Sequence, residues 1–90
     1  MDDLPARTVG VDVSKNWLDV ALGPAARSER FANSAAGIAE LVPALKQQPV
    51  AGVVVEATGG YEFAMVQALH AATIPVAVVN PRQIRDFARA

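Results

Sequence analysis

The chain has 90 residues, 52% of them hydrophobic, and its 8 Lys and Arg against 9 Asp and Glu give a formal charge of -1. That length fits a single domain, 1–90, with a modest core, and the composition excludes a disordered segment and argues against a strongly basic nucleic-acid binder, although acidic catalytic residues also lower the charge of a domain that acts on nucleic acid. There is no cysteine, no apolar stretch near the roughly 20 residues of a membrane span and no basic leader at Met1-Asp2-Asp3, so disulfide frameworks, thiolate metal sites, a membrane anchor and secretion are set aside and the cytoplasm is the expected compartment.

Val9, Val11 and Val13 alternate with Gly10 and Asp12, a period-two strand with Asp12 on the face opposite the valines. Ser14-Lys15-Asn16 reads as a hairpin turn into a second strand, Trp17 to Leu22. Leu18, Val20 and Leu22 share one face of it, and Trp17, Asp19 and Ala21 the other; Gly23-Pro24 ends it. Ser28 to Ala32 is a shorter strand whose charges suit a sheet edge. Asn33 and Ser34 are suitable N-caps for an amphipathic helix bearing Ile38, Leu41, Val42 and Leu45 on one stripe, with Pro43 as a point of kinking. Val50 to Glu56 is apolar without alternation, as expected of a central strand covered on both faces.

Thr58-Gly59-Gly60 turns into a helix from about Tyr61 to Ala72, with Phe63, Val66, Leu69 and His70 at core-like spacing. Ile74 to Val79 reads as another buried strand. Asn80-Pro81 reads as the N-cap and first-turn proline of a last helix. That helix meets no Gly, Asn or Pro terminator before Ala90, so the expectation is a chain cut inside or just after a helix, a fragment of a longer protein. The order βββαβαβα, with short links first and right-handed crossovers later, predicts an α/β fold: a ribonuclease-H-like mixed sheet in the order 3-2-1-4-5, truncated at its C-terminus.

In that order the first and fourth strands are neighbours, about 4.8 Å apart. Asp12 and Glu56, each at the end of an apolar run, can then stand at matching heights and share divalent ions, which lie about 4 Å apart in two-metal sites. Oxygen-only ligands suit Mg2+ or Mn2+, and with no Cys and one His there is little room for zinc. Such ions activate a water or a 3′-hydroxyl and stabilise the leaving oxygen in phosphodiester cleavage or exchange. The opposing reading makes Asp12 a strand-end residue bonded to a neighbouring amide and Glu56 a cap for the helix near Gly60.

Lys15, in the hairpin turn beside these carboxylates, is the first choice for a phosphate contact. Arg82, Arg85 and Arg89 form one basic helix face that also suits phosphates, or a solvated face partly neutralised by Asp86. The amides of Thr58-Gly59-Gly60 could hold an anion, though a tight strand-to-helix turn explains the glycines as well. Trp17 and Tyr61 suit base stacking or plain rim packing. Asp19 reads as a solvent-face residue, and His70 as a helix residue rather than a ligand.

The stretches Gly10-Val-Asp-Val-Ser-Lys15, Leu18-Asp-Val-Ala21, Val55-Glu-Ala-Thr-Gly-Gly-Tyr61 and Val79-Asn-Pro-Arg82 with Phe87-Ala88 resemble the amino-terminal domain of the DEDD transposases, the IS110-type insertion-sequence enzymes, and the related Piv-type DNA invertases. The resemblance runs from about Val9 to Ala90. It implies a RuvC-like fold and four acidic residues binding magnesium, with Asp12 matching the first and Glu56 the second. It places the third and fourth in an Asp-x-x-Asp element beyond a helix like the one at Pro81, and Asp86 does not fit that element. It also implies DNA as partner, a further domain with a serine nucleophile and, for some members, a structured guide RNA. The expected function is a DNA recombinase in the full-length parent, with these 90 residues inactive alone and self-associating through apolar surface beside the last helix. Two alternatives keep the fold: a sugar-kinase or actin-like ATPase lobe, whose phosphate hairpin usually carries a glycine absent from Ser14-Lys15-Asn16, and a non-catalytic interaction module.

Overall fold

Alternating valines set the sheet. Val9, Val11 and Val13 point to one side of the first strand and are all buried, while Thr8, Gly10 and Asp12 face outward and are exposed. The computed structural model describes residues 7–21, 28–47 and 49–80. Within them the elements run β1 (Arg7–Val13), β2 (Trp17–Ala21), β3 (Ser28–Ala32), α1 (Ala35–Lys46), β4 (Val50–Glu56), α2 (Phe63–Ala71) and β5 (Val76–Val79). The sheet has five strands in the order β3-β2-β1-β4-β5. β2 is antiparallel to β1 and β3, and β4 runs parallel to both β1 and β5. This is the ribonuclease-H-like order that the sequence predicts. The expected helix from Pro81, and with it Arg82, Arg85 and Arg89, lies outside the described residues.

The core forms where the valine faces of β1 and β4, with Leu18 and Val20 of β2, meet Ile38, Leu41 and Leu45 of α1 and Met65 and Leu69 of α2. No polar or charged residue is buried among those described. α1 begins where Ser34, in an extended conformation, accepts a hydrogen bond from the Gly37 amide on its Oγ at 3.1 Å. The cap is therefore Ser34, and Asn33 serves another purpose. Gly37 lets the first turn of α1 lie against the end of β3, since a Cβ there would overlap the Ala32 carbonyl. The helix continues through Pro43, whose ring is exposed and which removes only one main-chain donor.

Three expectations need correction. β4 is buried on one face only: Val53 and Val55 are sealed, Gly52 and Val54 are half-buried, and Glu56 is exposed. Its lack of alternation arises because an apolar residue, Val54, also floors the outer face. β5 is not a buried strand but the edge of the sheet, with Ala77 and Val78 exposed. α2 starts two residues later than expected; of the expected inner stripe Leu69 is buried and Val66 packs on the core, while Phe63 and His70 are exposed and Met65 is buried instead.

α2 stops by turning left-handed at Thr73, where φ is 60°. The Thr73 and Ile74 amides donate to the carbonyls of His70 and Leu69 at 3.0 and 2.9 Å, and buried Ile74 closes over buried Leu69. This is the bonding pattern that glycine usually terminates, and a β-branched residue is strained there. Thr73→Gly is expected to raise unfolding stability by about 1 kcal/mol, the relief of that strain less the added freedom of the unfolded chain. Gly37→Ala is expected to lower it by roughly 1–3 kcal/mol through overpacking against Ala32. Urea titrations of the two variants check both signs.

Candidate metal centre

The pairing of β1 with its neighbours assembles a row of charge on the face that carries no helix among the described residues. Asp12 stands opposite Asp19 of β2, and Asp19 opposite Arg30 of β3. On the other side Val11 pairs with Val55 in parallel register, so Glu56 is one step further along β4, level with Asp12. The row therefore reads Arg30, Asp19, Asp12, Glu56 across four strands. The row beside it is made of small residues: Ser28, Ala21 and Gly10, then Val54. Their lack of bulk leaves a shallow trough of about 490 Å³ that Asp12, Asp19 and Glu56 also line.

The acids at this end of the sheet differ in what holds them. Asp19 receives two hydrogen bonds from Arg30, Nε to Oδ1 at 2.8 Å and Nη2 to Oδ2 at 3.3 Å. Those bonds, with the guanidinium charge, hold its carboxyl below the usual range and push the arginine up. Glu62 folds back over the turn before α2. Its Oε1 accepts the Thr58 hydroxyl at 2.6 Å, the Thr58 amide at 3.0 Å and the Gly60 amide at 3.2 Å. The Thr58 hydroxyl first, and then the turn amides, draw its pKa from 4.5 down to about 2. In contrast, among the described residues no hydrogen bond or ion pair engages the side chain of Asp12 or Glu56.

These contacts decide several sequence readings. Neither Asp12 bonded to an amide nor Glu56 capping the next helix is found. The anion on the Thr58-Gly59-Gly60 amides is the protein's own Glu62, and Gly59 and Gly60, at φ 74° and 112°, allow the turn to close around it. Lys15 is exposed in the hairpin turn just past Asp12. Trp17 and Tyr61 are rim residues, 43% and 50% exposed. His70 is exposed on α2 and not among the residues lining the trough.

Arg30 and Glu62 received no individual role from sequence, and Asn33 only that of a candidate helix cap. Asn33 donates from Nδ2 to the carbonyls of Ser14 and Tyr61 at 2.9 and 3.0 Å, tying the β1–β2 hairpin to the turn before α2. Its own amide donates to Asn16. Its signal was hidden by its resemblance to a helix cap. Thr58 and Glu62 carried a readable one, a Thr and a Glu flanking two glycines, but at a spacing one longer than the usual capping box.

Two uncommitted carboxylates on adjacent strand ends, oxygen donors only, fit a hard divalent cation, which is often held by one or two carboxylates with water and phosphate completing the shell. No set of three or more His, Asp or Glu converges on a metal position among the described residues. No helix among them is long and apolar enough to cross a membrane. The Glu62 cage makes a pH prediction. A carboxylate whose folded pKa is depressed stabilises the fold above its unfolded value near 4.5 and loses that contribution as pH falls towards 2. Glu62→Gln is therefore expected to flatten the decline in melting temperature between about pH 5 and pH 2, and an unchanged slope in scanning calorimetry would show that the cage does not persist in solution.

A search of curated proteins finds no match. Comparison with protein families matches residues 9–90 to the DEDD, IS110-type family described as transposase. That span takes in both strands of the carboxylate pair, the hairpin turn and the Glu62 cage, and on it the chain belongs to the IS110-type DEDD transposase family.

Proposed function

We propose that this chain supplies the first half of a divalent-metal site with which its full-length parent cuts and rejoins DNA. Asp12 and Glu56 are the metal ligands and catalytic residues in this reading. The supporting observation is their shared condition: they sit level on neighbouring parallel strands, at the lip of a trough, with no protein partner among the described residues, while Asp19 beside them is held by Arg30 through both of its oxygens. A Mg2+ or Mn2+ ion held there would polarise a phosphodiester and lower the pKa of an attacking water or 3′-hydroxyl. The chain's own residues position that chemistry. The floor of Gly10 and Ala21 admits a nucleic-acid backbone close to the two acids, and Lys15 offers a phosphate contact at the hairpin tip.

Arg82, Arg85 and Arg89 add backbone contacts, DNA is the substrate, and a structured guide RNA is a partner where the parent uses one. The remaining acidic ligands come from elsewhere, so the 90 residues alone hold metal weakly and do not recombine DNA. Self-association is supported by exposed Tyr61, Phe63 and Val78 and by the edge position of β5. The site of action is the cytoplasm.

Asp12→Asn in the full-length parent is expected to cut recombination by more than about 100-fold, beyond the loss typical of an outer-shell partner. The circular dichroism spectrum should not change, because Asp12 makes no contact that the fold uses. Recombination at the wild-type rate would sink the metal assignment.

A further inference from the structure

We propose that Trp17, backed by Arg30, is a stacking platform for an unpaired nucleobase of the nucleic acid that occupies the trough. The proposal rests on the reading above for the presence of nucleic acid. What it adds is a contact by which the chain holds a nucleotide.

Trp17 shares the outer face of β2 with Asp19, two residues along, so its Cα lies about 7 Å from that of Asp19 by the rise of a strand. It is 43% exposed although a tryptophan is the largest apolar side chain available to bury. The Arg30 guanidinium lies 4.9 Å from its ring centroid. That guanidinium is not free to wander, because Asp19 holds it through two hydrogen bonds. The backbone beneath the ring is fixed as well: the Ser14 amide and hydroxyl both donate to the Trp17 carbonyl, at 2.9 and 3.3 Å. Ring, guanidinium and turn form a preorganised surface on the hairpin side of the Asp12–Asp19 row, across that row from the floor of the trough.

The chemistry selects a nucleobase. Asp19 neutralises the Arg30 charge locally, so the pair attracts phosphate weakly, and what remains on offer is the flat π surface itself. Bases stack on such surfaces without regard to sequence, and they do so when unpaired. A duplex presents no free base face, so the occupant is a single-stranded or splayed nucleotide next to the position where the phosphodiester meets Asp12 and Glu56. The competing possibility is that Trp17 and Arg30 only stabilise each other as a surface cation–π pair.

Trp17 is the sole tryptophan, so its fluorescence reports on this surface alone. The experiment titrates the chain with a fluorescein-labelled single-stranded DNA of about 12 nucleotides in EDTA, reading tryptophan quenching and label anisotropy together. The expected result is quenching that tracks binding, at least a fivefold weaker affinity for Trp17→Ala, recovery of most of that loss in Trp17→Phe, and the same salt slope for all three. Binding without quenching, equal affinity of Trp17→Ala and wild type, or no binding at all overturns the platform. With metal excluded, the titration reads stacking whatever becomes of the metal assignment. The Asp12→Asn recombination assay reads that assignment whatever becomes of the quenching.

Discussion

The parallel pairing of β1 with β4 is the constraint on which the rest depends. It brings together two carboxylates far apart in the chain, and it does so by register: because Val11 faces Val55, Asp12 and Glu56 emerge side by side and on the same face. A slip of one residue would send Glu56 into the core and Val55 into water, so the burial of Val53 and Val55 protects the geometry of the acids. An irregularity between Arg7 and Thr8, where one extra β4 residue is accommodated, sits at the far end of this pairing and leaves the site end regular.

Electrostatics then separates acids that look alike. Three carboxylates, Asp12, Asp19 and Glu56, line the trough, and a fourth, Glu62, sits in the turn that follows β4. The fold relieves two of them with its own groups: a guanidinium for Asp19, and a hydroxyl with two turn amides for Glu62. The other two are left to water. A cation that answers both at once gains from this arrangement, whereas one binding at Asp19 would first have to displace an arginine.

Much of this was legible in the chain. Strict alternation in Thr8 to Val13 and Trp17 to Ala21 put the right residues on the right faces, because in a half-buried sheet the period of two is the period of burial. The strand order followed from short links and crossovers, and the family from motifs along the strands. What failed did so for physical reasons. β4 looked doubly covered because Val54 is apolar on a face that is only half-buried. The inner stripe of α2 was only partly read: Leu69 is buried and Val66 packs on the core as expected, but Met65 rather than Phe63 fills the preceding turn, because the Thr58 to Glu62 turn takes up Tyr61 and Glu62 and leaves Phe63 exposed at the helix start. Arg30 was invisible because its partnership with Asp19 depends on the register of β2 with β3, which composition does not encode.

Asn33 carries a consequence of its own. Its single amide spans the hairpin that follows Asp12 and the turn that follows Glu56, through Ser14 and Tyr61. Loops at the ends of strands ordinarily fluctuate on the nanosecond-to-microsecond scale, each independently of the other. Here one side chain couples them, so the two loops that follow the acids are held to each other by the fold's own hydrogen bonds. For the proposed metal site, the entropy of ordering these two loops would then be spent during folding rather than at the moment of binding.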